Sequence, residues 1–132
     1  MYVTRLIGLV TLIISSSVFA DEPLTFDRAL PLGVDFTFPN DKNQQPNVSD
    51  FELLHFAPLS SESGERWAVV TLTNTASGRR ILDKKDLIAL LADGRRIHPE
   101  HLSQSFKPGE TLSLSIKFGQ SYFPIVAVYS QN

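Results

Sequence analysis

Residues 111–118, TLSLSIKF, alternate strictly: Leu112, Leu114, Ile116 and Phe118 fall on one side of an extended chain, and Thr111, Ser113, Ser115 and Lys117 on the other. A period of two belongs to an antiparallel strand with one buried and one solvated face; a helix repeats every 3.6 residues. Lys107-Pro108-Gly109-Glu110 stands directly before it, with Pro and Gly where a type II turn places them.

Other short apolar runs, parted by turn residues, point the same way. Residues 66–73 (RWAVVTLT) are apolar on both faces as far as Leu72, as in a central strand, and stop at the turn-forming run 74–78. Val34, Phe36 and Phe38 alternate with Asp35 and Thr37 before the polar loop 39–46. Residues 51–57 (FELLHFA) form a run closed by Pro58 and the loop 60–65, residues 79–82 read as a short strand, and residues 125–129 (IVAVY) as the last. The composition of residues 87–92 (LIALLA) also suits a helix, but Asp93-Gly94 followed by Arg95-Arg96-Ile97 is a hairpin signal of the type I′ kind and favours strand, turn, strand. With no fixed-period repeat and no firm helix, about seven short strands imply an all-β fold, an antiparallel β-sandwich in one domain over residues 21–132.

Residues 1–20 have the order of a secretory signal peptide: Arg5 near the start, the apolar run 6–14, then small residues with Val18 and Ala20 at the −3 and −1 positions. The 15 uncharged residues between Arg5 and Asp21 fall short of the roughly 20 that span a bilayer, which favours cleavage after Ala20 over a retained anchor. The remaining 112 residues contain no second run of spanning length, so the expected address is periplasmic or secreted, with no transmembrane segment in the mature chain. The absence of Cys excludes a disulfide scaffold, a thiol nucleophile and a Cys-ligated metal, and leaves the domain to rest on its core alone. Asn47-Val48-Ser49 matches a glycosylation acceptor, which matters only in a eukaryotic secretory route.

From Trp67 to Phe118 the chain resembles bacterial secreted immunoglobulin-like domains of unknown function, related to the immunoprotective extracellular antigens. The resemblance rests on WAVVTLTNTASG (67–78), LLADGRRI (90–97) and FKPGETLSLSIKF (106–118), with Asn74, Asp93, Gly94, Pro108, Gly109, Glu110 and Phe118 at the family's turn and strand positions. Many such domains are lipoproteins held by a Cys, and here the chain departs from the pattern. The resemblance implies a β-sandwich and an exported, non-catalytic interaction role; it carries no binding residue.

The densest group of possible metal ligands is His98-Pro99-Glu100-His101, with His55 as a distant further nitrogen donor. Two imidazoles flanking a carboxylate could suit Zn or Cu, whereas Pro99 turns the chain between the rings and favours a solvated loop. No G-x-S-x-G elbow, S-x-x-K motif or phosphate-cradling glycine loop is present, alternation places no closely spaced carboxylate pair on one apolar face, and no enzyme activity or cofactor is expected. The formal charge of −2 argues against nucleic acid as a partner. That small net charge conceals nine acids against two bases over residues 21–65, a net of −7, and six bases against three acids over 79–96, a net of +3. Arg79, Arg80, Arg95 and Arg96 are therefore candidate contacts for an acidic partner, or dibasic pairs that keep strand ends soluble. Trp67, Tyr122 and Tyr129 either line a binding surface or, for Trp67, fill the core. The expected function is a non-catalytic exported module that binds a protein, another envelope protein in particular, or a cell-envelope component. The alternatives are a periplasmic metal-binding protein using His98, Glu100 and His101, and an accessory factor of an envelope secretion or surface-assembly machine.

Overall fold

A computed structural model describes residues 22–28, 38 and 44–132. The fold is all-β and antiparallel. Its strands are β1 (Thr25–Phe26), β2 (Phe51–Ser60), β3 (Glu65–Asn74), β4 (Arg80–Asp83), β5 (Ile88–Leu91), β6 (Arg96–Ile97), β7 (Ser103–Phe106), β8 (Thr111–Gln120) and β9 (Ile125–Tyr129). They form a four-stranded sheet in the order β1-β2-β3-β8, a pair β4-β7 and a three-stranded sheet β6-β5-β9. The segments 1–20 and 34–37, read as signal peptide and as part of a strand, lie outside the described residues.

Alternation decides which side of the large sheet faces inward. Ala68, Val70 and Leu72 of β3 are fully buried, with Val69, Thr71 and Thr73 only half covered between them. These inward residues meet Leu82 of β4, Ala89 and Leu91 of β5, Phe106 of β7 and Val128 of β9, so all three sheets share one core. Phe51 and Phe106 close the junction of β2 with β7 edge to face, their ring centroids 5.0 Å apart. All four residues of β5 are buried. A strand covered on both faces has no period, which is why residues 87–92 also suit a helix by composition.

Three local features differ from the sequence expectation. β2 runs through Pro58 to Ser60 instead of closing at the proline. The Pro58 carbonyl accepts from the Asp27 N–H on the β1 side, and a strand residue's N and C=O point the same way. The missing N–H therefore falls on the side away from β3 and breaks no bond of the β2–β3 ladder. Second, the hairpin at Asp93-Gly94 is not type I′, since among the described residues none other than glycine has positive φ. Gly94 N–H donates to the Leu91 carbonyl and Leu91 N–H to that of Arg95, a three-residue loop in which only Gly94 (φ 91°) is left-handed. A Cβ at Gly94 would also stand 2.6 Å from the Phe38 ring. Third, β1 and β7 are strands that the short-run pattern did not announce. The type II geometry before β8 is present: Glu110 N–H donates to the Lys107 carbonyl and Gly109 has φ 69°.

Asn74 ends β3 completely buried, with its amide fully used. Its Nδ2 donates to the carbonyls of Gly78 (2.9 Å) and Lys107 (3.1 Å), and its Oδ1 accepts from Ala76 N–H (3.0 Å). A buried amide left unpaired would cost more than these bonds contribute, so the residue fixes the 74–78 turn and the 107–110 turn against each other.

Candidate interaction surface

β8 is ten residues long and lies at the end of the large sheet, where β3 is its one neighbour among the described strands. Two backbone bonds establish which of its groups face outward. Asn74 N–H donates to the Glu110 carbonyl, toward β3, while Glu100 N–H donates to the Lys117 carbonyl from the opposite side. Backbone polar groups alternate sides along a strand, so even positions point to β3 and odd positions point out, and both anchors obey that parity. Thr111, Ser113 and Ser115 thus turn their N–H and C=O groups to the free side, where no described residue pairs with them. Their side chains stand on the outer face of the sheet, Ser113 Oγ bonded to Thr71 Oγ1 (2.7 Å) and Thr111 Oγ1 to Thr73 Oγ1 (2.6 Å).

The far end of this edge is closed. Lys117 Nζ sits 2.9 Å from Glu65 and 3.7 Å from Glu100, and the segment that begins at Glu100 approaches the strand there and then diverges toward β7. Hydrogen bonding to Glu65 raises the Lys117 pKa above the ordinary lysine value against the pull of desolvation, and the charge of Glu100 adds to the rise. Between β8 and the diverging segment lies a groove of about 460 Å³, lined among others by Trp67, His101, Leu102, Gln104 and Leu114. The Trp67 indole N–H is buried beside it with no partner among the described residues. Leu102, Leu112 and Leu114 are only partly buried where they pack on the core. Trp67 is half-buried, alternates with the inward-facing Ala68 and lines the groove; it does not fill the core, contrary to one of the two expectations for it.

His98, Glu100 and His101 are not drawn into one site, and among the described residues no three metal-ligating side chains converge. The His98 ring turns inward: its Nδ1 lies 2.9 Å from the Leu87 carbonyl and 3.1 Å from that of Lys84. Carbonyls only accept, so this nitrogen carries the proton and is not available as a ligand. Pro99 is buried, Glu100 faces Lys117, and His101 is exposed at the groove.

The four arginines do not form one patch. Arg79 donates to Ser105 Oγ, and Arg80 pairs with Asp50 at 2.9 Å beside the start of β2. Arg95 pairs with Asp93 at 2.7 Å and reaches Ser121 Oγ, beside the β2–β3 turn at the opposite end of the large sheet. Ten-residue strands put roughly 30 Å between those ends. Arg96 lies over the Tyr129 ring, 5.3 Å from its centroid, which commits Tyr129 as well. At the Asp93 carboxyl desolvation pushes the pKa up, but the hydrogen bonds and charge of Arg95 outweigh it and hold it below the usual value. Tyr122 is 98% exposed and borders a second, polar groove with Arg66 and Arg95, apart from Trp67.

Among the described residues no helix is long and apolar enough to cross a membrane. The chain matches no protein-family model, no curated protein and no solved structure.

Proposed function

We propose that this protein is a non-catalytic, exported interaction module of immunoglobulin-like fold, acting through strand addition at the β8 edge. The observation that carries the reading is that edge: ten residues long, with the backbone groups of Thr111, Ser113 and Ser115 turned outward. Each unmade ladder bond beside a sheet is an invitation to another extended chain, and main-chain bonding of this kind recognises peptides with little demand on side-chain chemistry. The signal-like order of residues 1–20 supports export to the periplasm or beyond, which makes the chain that adds to the edge part of an exported protein. The buried polar residues serve the fold itself: Asn74 clamps two turns, Ser60 Oγ donates to Asp27 (2.7 Å) and Ser61 Oγ accepts from Glu65 N–H (3.0 Å).

Site-specific photo-crosslinking in producing cells tests the reading. A photoreactive phenylalanine derivative in place of Ser115 is expected to yield a protein adduct, and the same group in place of the exposed Glu52 on β2 is not. No adduct at position 115, or equal adducts at both positions, overturns the proposal.

A further inference from the structure

We infer that the strand which completes the β8 edge is β8 of a second copy, paired antiparallel about a two-fold axis through Ser113. The inference rests on the edge-binding reading above and names its occupant. Parity admits this register: outward-facing positions must meet outward-facing positions, and an axis at Ser113 sets Ser113 opposite itself and Thr111 opposite Ser115. Three such pairs make about six interchain hydrogen bonds. The sequence is self-complementary in the same register. Thr111, Ser113 and Ser115 extend the hydroxyl row already formed with Thr71 and Thr73 on the outer face. On the inner face Leu112 meets Leu114 of the second copy, which covers two side chains that the monomer leaves partly exposed.

Charge agrees. Residues 111–116 carry none, so the axis brings no like charges together. The second copy's 107–110 turn then reaches the closed end of the edge, where its Lys107 and Glu110 meet Glu100 and Lys117, one charge of each sign on either side. The two-fold repeats that contact at the other end. The occupant is therefore a segment this chain itself supplies, isologous and closed at two copies.

The test uses protein purified after expression of the full chain, and it benefits from the absence of cysteine. Directly opposed hydrogen-bonded residues have Cα atoms roughly 5.5 Å apart, within disulfide range. Sedimentation equilibrium is expected to report a dimer. Ser113→Cys, oxidised by glutathione disulfide, is expected to give a covalent dimer, while Glu52→Cys stays monomeric on a non-reducing gel. Ser113→Lys places two ammonium groups at the axis and is expected to weaken association by at least about tenfold. Circular dichroism establishes that each variant is folded, and if Ser113→Lys does not fold, Ser115→Lys replaces it. A dimer that is insensitive to these changes overturns the inference, and so does a monomer. Hydrogen exchange separates the two readings: a monomer whose Ser113 and Ser115 amides exchange freely removes only the second copy, whereas a monomer with both amides protected removes the open edge as well.

Discussion

The two long sides of the four-stranded sheet are finished in different ways. On the β2 side the chain carries Pro58, which offers no N–H, a register shift between Leu53 and His55, the charge of Glu52, and the short strand β1 across Leu59 and Ser60. These are the devices by which natural sheets discourage a further strand. On the β8 side, Thr111 to Ser115 has no charge, no proline and no register shift until the Lys117 end, where Glu100 closes the edge. Both strands are ten residues long and flank the same β3. One edge is thus blunted and the other is straight, uncharged and β-prone, and the proposed strand addition rests on that difference.

The comparison breaks first at proline. Thr71 on β3 and Ser113 on β8 stand directly opposite each other and share one hydroxyl bond, so replacing either by proline removes the same side-chain contact. Thr71→Pro also deletes a ladder donor inside the sheet and is expected to cost about 1–3 kcal/mol or more by urea denaturation. Ser113→Pro deletes an outward donor, as Pro58 does on the other side, and is expected to cost about 1 kcal/mol or less. Equal costs would mean that the Ser113 N–H is bonded within the fold.

A smaller effect is expected at the turn that launches β8. Asn74→Ala leaves the Gly78 and Lys107 carbonyls without their donor and is expected to lose about 1–3 kcal/mol. Amide exchange should then rise more at Thr111 and Leu112 than at Leu59 and Ser60. Uniform acceleration would show that the clamp holds the whole sheet and not the β8 end.

The smallest effect concerns the closed end of the edge. The Lys117 pKa is raised in the fold, so its contribution is present below the ordinary lysine pKa and is lost as pH rises through the raised value. Wild type should therefore lose stability across that alkaline window more steeply than Lys117→Met, as read from urea midpoints. Parallel slopes would show that the contacts with Glu65 and Glu100 contribute nothing.

What could be read from the chain followed burial and local turn chemistry. β8 was legible because one face is wet and the other dry, and the 107–110 turn because Pro and Gly each have one favoured place in it. β7 was not, since in Ser103-Gln104-Ser105-Phe106 only Phe106 is buried. The turn at Asp93-Gly94 misled because Asp93 Oδ1 accepts from Arg95 N–H and stabilises a longer loop that needs one left-handed residue, not two. The same holds for the candidate sites. Spacing brought His98, Glu100 and His101 together on paper, while in the fold His98 Nδ1 faces the Lys84 and Leu87 carbonyls, Glu100 faces Lys117 and His101 lies at the groove. The arginines are near in sequence but at opposite ends of the strands that separate them. That β8 is an edge at all depends on strand order, which no local pattern carries.

The Asn74 amide also couples two distant turns. It is satisfied only when the 74–78 turn has closed and the Lys107 carbonyl has arrived from 33 residues further along the chain. In a chain whose 107–110 turn has not docked, water takes the place of the Lys107 carbonyl, so the clamp contributes only once both turns are in position. The amide therefore ties closure of the 74–78 turn to docking of the turn that leads into β8, and the edge proposed for strand addition takes its shape together with the turn beneath it.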